Sequence, residues 1–180
     1  MCVNTCLAYV GPFAVYEQCP YCGEPRYDAW TLAHSKEVAR RTFQTYPLGP
    51  QLQAMWASTE NARLMKHRAQ ETTRILAQGR QNPQTVPDYD DVYYGQAYLD
   101  AVQDEANPIR NDEMVLMFSI DGAQLYESKA SDCWFYVWVL FDLPPDARYK
   151  KRYVLPGAVI GGPKKPKNID SFIFPGLYHV

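Results

Sequence analysis

Long apolar runs are missing from this chain. No run of about eighteen apolar residues occurs in it, so no segment has the makings of a membrane-spanning helix. A basic-then-apolar leader is missing as well, and the expectation is an intracellular, reducing location, nuclear or cytoplasmic, with no membrane partner. Histidine is scarce: His34, His67 and His179 stand far apart and form no HExxH pair, which removes the zinc-protease arrangement. Glycine-rich loops of the GxGxxG or Walker type and the GxSxG elbow do not occur, and with them go dinucleotide, P-loop and serine-hydrolase readings. One-sided charge is lacking too. The formal net charge of -2 excludes a free-standing basic domain that holds nucleic acid by charge alone, so any such contact has to be local.

What is present is globular in character. Apolar residues make up 47% of the 180 positions and charged residues 21%, a balance that excludes wholesale disorder. Four of the five cysteines, Cys2, Cys6, Cys19 and Cys22, lie in the first 22 residues with the spacing C-x3-C-x12-C-x2-C. Two close pairs about a dozen residues apart are what a tetrahedral thiolate site requires, each pair on its own turn. Gly23, directly after Cys22, permits the tight backbone such a knuckle needs. Two disulfides are the competing reading, disfavoured by the reducing location. Four thiolates around zinc leave no open coordination position, so the expected role of the ion is structural. The fifth, Cys133, stands apart.

From Pro50 to Gln78 apolar residues recur at Leu52, Met55, Trp56, Ala62, Met65, Ala69, Thr72 and Leu76, the spacing of helices. Ser58 is placed to cap a helix starting at Thr59, and Gly79 with Asn82-Pro83 is placed to end it, giving two helical pieces joined near Ala57. Arg63, Lys66, His67, Arg68 and Arg74 decorate this segment, as a solvated face or as phosphate contacts. Gln78–Asp91 is polar, proline-containing and aperiodic, the best linker in the chain. Tyr93–Val102 reads as a short helix. The acids around it, Asp88, Asp90, Asp91, Asp100, Asp104 and Glu105, follow no metal-loop spacing and read as surface charge.

Three strands are expected beyond this point. MVLMFSID (Met114–Asp121), FYVWVLFDL (Phe135–Leu143) and YKKRYVLPGAVI (Tyr149–Ile160) are β-branched and aromatic, with Pro144-Pro145 between the last two. The apolar run of the first strand suggests cover on both faces, with Asp121 partly desolvated at its carboxyl end. Asp121-Gly122 as a plain turn pair is the alternative. Hairpin adjacency makes Asp132 a candidate neighbour of Asp121. Lys150, Lys151, Arg152, Lys164, Lys165 and Lys167 supply local positive charge, as candidate DNA contacts or as ordinary solvated loops.

Three blocks together, CPYCGEPRYD (Cys19–Asp28), YPLGPQLQAMW (Tyr46–Trp56) and the long run MVLMFSIDGAQLYESKASDC…IFPGL (Met114–Leu177), resemble CACTA-type DDE/D DNA transposases, most closely the Plavaka-like group of fungal genomes. The resemblance implies an α+β chain. A cysteine zinc motif spans 1–30, a helical region with a linker near 78–91 spans 31–110, and the first three strands of an incomplete ribonuclease-H-like catalytic domain occupy 111–180. In that family the acid of the SIDG setting is the first catalytic carboxylate, here Asp121, which would hold magnesium or manganese with acids located further along. Asp170 in NIDSF falls in another recurring block, structural or supporting. The expected activity is cut-and-paste transposition in the full-length protein, with transposon-end DNA as partner and a homo-oligomer as a further candidate. The 180 residues read as an inactive fragment, and the alternative is a domesticated or decayed remnant serving as a non-catalytic zinc-containing binding module.

Overall fold

Strand-forming sequence in the second half of the chain pairs into an antiparallel sheet. The computed structural model describes residues 1–81, 90–124 and 132–178. Its elements, in chain order, are α1 (Ala29–Ala33), β1 (Gln44–Thr45), α2 (Leu48–Trp56), α3 (Thr59–Leu64), α4 (His67–Gln81), α5 (Gln96–Gln103), β2 (Leu116–Gln124), β3 (Asp132–Leu140), α6 (Pro145–Arg148), β4 (Leu155–Gly162) and α7 (Ile169–Leu177). The sheet order is β1-β4-β3-β2. The chain is therefore α+β, with the three expected strands consecutive in the sheet and a short fourth, β1, added along β4 through Gln44 opposite Val159.

Two compact units share the chain: one comprises 1–52, 118–138 and 155–180, the other 53–117 and 139–154. In the first unit, β3 and β4 pair from Asp132 opposite Gly162 to Trp138 opposite Leu155, with a bulge that leaves Gly157 as the extra residue on β4. Trp134, Tyr136 and Trp138 share one face, and Ile160, Met1, Ala8 and Phe172 form a core cluster with Trp134 packed against it. Phe118 of β2 meets Tyr136 and Trp138 with ring centroids 5.2 Å away in each case. Gly122 approaches the same row, because a Cβ there would lie 2.8 Å from the Trp134 ring. Neighbouring residues of a strand point to opposite faces, so Asp121 lies on the other face with Ser119. That face is open: Phe135 and Val159 are each 37% exposed on it.

The second unit is organised by two buried arginines. Arg68 on α4 is fully buried, donates through Nε to Asp142 Oδ1 at 2.9 Å, and gives its Nη2 to the carbonyls of Arg110 (3.0 Å) and Glu113. Asp142 in turn accepts from the Val115 amide at 2.8 Å. Arg148 holds Asp91 with two bonds of 2.8 and 2.9 Å, donates to Leu143 O, and stacks over Tyr93 and Phe141. Tyr93 and Tyr98 carry the apolar side of this unit with Ile75, Tyr94, Leu99 and Val102.

Several expectations are corrected here. Helix spacing over 58–79 conceals a break at Met65-Lys66, so Ser58 does cap α3, accepting from the Asn61 amide, but α4 is a separate helix. Arg68 is no part of a basic face; it is interior and neutralised by Asp142. Asp91 is not surface charge, since Arg148 binds it. Residues 149–152 form turns instead of strand, because Pro144-Pro145 opens α6 and strand character returns only at Leu155. β2 is a sheet-edge strand with no buried residue, not a strand covered on both faces, and it runs past Asp121 to Gln124. The linker expected at 78–91 falls largely outside the described residues, as does His179.

Two stability outcomes follow from packing. Gly157→Ala would drive a Cβ into the buried Tyr136 ring and should lower the unfolding free energy by about 1–3 kcal/mol; Gly49→Ala, with open space around it, should not. Arg68→Met leaves Asp142 buried without its cation and should cost about 3–5 kcal/mol. Urea unfolding of the three variants checks both.

Candidate metal centre

Two short loops bring the four cysteines together. In the first, the Cys2 amide donates to Leu7 O at 2.9 Å and the Thr5 amide to Cys2 O at 3.0 Å, so residues 2–7 close on themselves. Closure places Thr5 at a φ of +57°, a left-handed conformation that a β-branched residue resists. Burial holds it there, since Thr5 is fully buried and packs against Gly162 of β4, where a Cβ would overlap its side chain. In the second loop, Cys19 O accepts from the amides of Cys22 (3.3 Å) and Gly23 (2.8 Å), and the Cys19 amide donates to Glu24 O at 2.9 Å. Gly23 takes a φ of +72°, the conformation for which glycine has no Cβ penalty.

The resulting geometry fits a metal ion. One Sγ from each of Cys2, Cys6, Cys19 and Cys22 lies within 4.8 Å of all the others, and Cys2 Sγ is 3.6 Å from Cys22 Sγ. Tetrahedral thiolates at a zinc-sulfur distance of about 2.3 Å would have sulfurs about 3.8 Å apart. A disulfide would need about 2.05 Å; all five cysteines are free, and the four clustered sulfurs could hold a metal ion. Leu7, Tyr9 and Phe13 pack around the sulfurs. Among the described residues this is the only set of three or more Cys, His, Asp or Glu that a single ion could bridge.

Proton affinity differs sharply among Cys6, Cys19 and Cys22. Burial, reinforced by Cys22 and Cys2 nearby, pushes the Cys6 thiol well above its ordinary range, and burial raises Cys19 as well. Cys22 is the exposed member; the Glu24 amide beside its sulfur lowers its pKa to about 6 against a smaller opposing effect of desolvation, with the Asn4 side chain helping. Cys22 is thus the exposed and most readily ionised of the three.

No protein-family model, curated protein or solved structure matches this chain. The geometry of its own residues therefore has to carry its functional reading. Asp121 sits on β2, exposed, with Oδ1 accepting the Gly122 amide at 2.7 Å. It is neither at a strand end nor in a turn. Asp132 begins β3 with its Cα opposite Gly162, and Asp142 is spent on Arg68. Asp170 is exposed in the first turn of α7, where a negative charge suits the helix N-terminus.

The six basic candidates divide. Lys164, Lys165 and Lys167 are exposed between β4 and α7 in the unit that holds Asp121, and Lys165 Nζ stands 5.2 Å from the centre of the Trp134 ring that covers Gly122. Lys150, Lys151 and Arg152 belong to the other unit, exposed after α6, with the Arg152 guanidinium 4.7 Å over Tyr153. Sequence reading missed Thr5, Asn168 and Ser171; only a cap-type Asn three residues before a Ser hinted at the last two. No helix among the described residues is long and apolar enough to cross a membrane.

Reduced, metal-free protein should be alkylated by iodoacetamide first at Cys22, because only that thiol is both exposed and largely thiolate at neutral pH. Its labelling should slow as the pH falls through about 6, and peptide mass spectrometry reads the order.

Proposed function

We propose that the four cysteines hold one structural zinc ion and that the chain belongs to a CACTA-type, Plavaka-like DNA transposase in which Asp121 is the first catalytic carboxylate. The reading is carried by the placement of the SIDG acid. Asp121 lies on the open face of β2, and among the described residues its carboxylate is engaged only by the amide of its own neighbour. Such a carboxylate is available to a hard cation. Three consecutive antiparallel strands, β2, β3 and β4, are in keeping with the start of a ribonuclease-H-like core.

When bound, magnesium or manganese would activate the attacking oxygen and stabilise the leaving one during strand cleavage. The chain's own part is to present Asp121 from a strand whose opposite face is pinned by Trp134, Tyr136 and Trp138. Lys165, held over Trp134, and its neighbours Lys164 and Lys167 are the candidate contacts for transposon-end phosphates on this unit. Lys150, Lys151 and Arg152 are weaker candidates, since nothing links them to the Asp121 strand. Zinc remains outside the reaction, because four thiolates close its coordination shell.

A second reading, a decayed or domesticated remnant acting as a zinc-containing binding module, is favoured by one observation. Among the described residues Asp121 belongs to no group of three or more Cys, His, Asp or Glu that a single ion could bridge, and one carboxylate does not hold two ions. The 180-residue chain should therefore show no magnesium- or manganese-dependent nicking. In a transposase that carries this segment together with the further catalytic acids, Asp121→Asn should abolish cleavage of transposon-end DNA while sparing DNA binding. Cleavage that survives Asp121→Asn would overturn the catalytic assignment. Elemental analysis of the reduced protein should find about one zinc per chain, lost in the Cys19→Ser, Cys22→Ser double variant.

A further inference from the structure

We infer that the four-cysteine cluster is a metal-dependent latch for α7 and the lysine loop before it, not a detachable finger. The inference rests on the zinc part of the proposed function and is independent of the transposase part. Both cysteine loops grip the start of α7. From the first loop, the Cys6 carbonyl accepts from the amides of Lys167 (3.2 Å) and Asn168 (2.9 Å). From the second, the Tyr21 hydroxyl accepts from Asn168 Nδ2 at 3.2 Å. Asn168 is also the N-cap of α7, its Oδ1 accepting from the Ser171 amide at 3.0 Å.

A third connection is buried. Ala8, just past the first loop, donates its amide to Ser171 Oγ at 2.9 Å, and that hydroxyl donates to Asn168 O at 2.7 Å. Gly11 completes the contact, with so little room that a Cβ would lie 2.7 Å from the Phe174 ring. The start of α7 is thus held by atoms of the two cysteine loops and of Ala8 and Gly11 just after them, while Phe172 packs on Ile160 and Met1.

The latch needs the metal because the ion would tie the two loops at four points, where otherwise the Asn4 side chain on Cys22 Sγ and the packing of Leu7, Tyr9 and Phe13 join them. Without an ion, the three buried sulfurs of Cys2, Cys6 and Cys19 lose their shared partner, and only packing against Gly162 keeps Thr5 in its left-handed conformation. Opening of that loop removes the Cys6 carbonyl from Lys167 and Asn168 together. Lys165 follows, since Pro166 and Lys167 connect it directly to the released segment, and its position over Trp134 beside Gly122 is lost. Metal occupancy would in this way set the placement of Lys165 on the Trp134 face of the sheet.

Hydrogen exchange of the intact 180-residue chain, read by mass spectrometry with and without a zinc chelator, tests this, with zinc measured in the same samples. Chelation should accelerate exchange in 167–177 by about tenfold or more, the effect of losing two to three hydrogen bonds, together with 2–24, while 137–140 and α4 keep their protection. Exchange in 167–177 that stays within about twofold of the zinc-loaded rate while 2–24 opens would overturn the latch and leave the zinc site standing. Ser171→Ala should retain zinc yet speed exchange of α7 in the loaded state; unchanged α7 protection in that variant also overturns it. A reduced chain that carries no zinc removes the metal reading and the latch with it.

Discussion

Four sulfurs within reach of one ion are the constraint around which the first unit is built. Bringing Cys2, Cys6, Cys19 and Cys22 together forces two tight loops, one with threonine in a left-handed conformation and one with glycine there. The first loop then lies against β4 through Thr5 and Gly162, and its Cys6 carbonyl meets the start of α7. Met1 and Ala8 flank that loop and join Ile160 and Phe172 in the core. A local coordination demand thereby becomes a tertiary one, because the segment that supplies the ligands also supplies core residues of the sheet.

The second unit solves a different problem. Its helices and connecting segments leave carbonyls of Arg110, Glu113 and Leu143 in the interior, and buried backbone acceptors have to be satisfied. Two arginines do so, each neutralised by one carboxylate and each spreading several donors over neighbouring carbonyls. A guanidinium suits this task better than an ammonium because its planar fork reaches several acceptors at once. Such pairs add little net stability over apolar packing, but removing one partner leaves an uncompensated interior charge.

Asp121 gains its interest from contrast. Asp142 is committed to Arg68, and Asp170 lies in the first turn of α7. Gly122 beside it is glycine for a packing reason, the close approach of Trp134. A side chain there would push the ring, and Lys165 with it, away from the strand. The same small motif therefore serves the sheet's interior through Gly122 and its open face through Asp121.

Much of this was legible in the chain itself. Cysteine spacing located the four-cysteine cluster, and helix period with Ser58 located the start of α3, because both depend on residues close in sequence. Apolar β-branched and aromatic runs likewise marked β2, β3 and β4, though their limits shifted by several residues where Pro144-Pro145 and the edge position of β2 intervened. What sequence could not disclose was everything settled by distant partners. Arg68 and Asp91 look solvated until Asp142 and Arg148 arrive from far along the chain, and no local pattern records that. The assignment of chain segments to the two units, the docking of the cysteine loops on α7 and the exposure of Asp121 on an open face are equally tertiary outcomes, because burial depends on which strand neighbours which, and that is decided only when the sheet assembles.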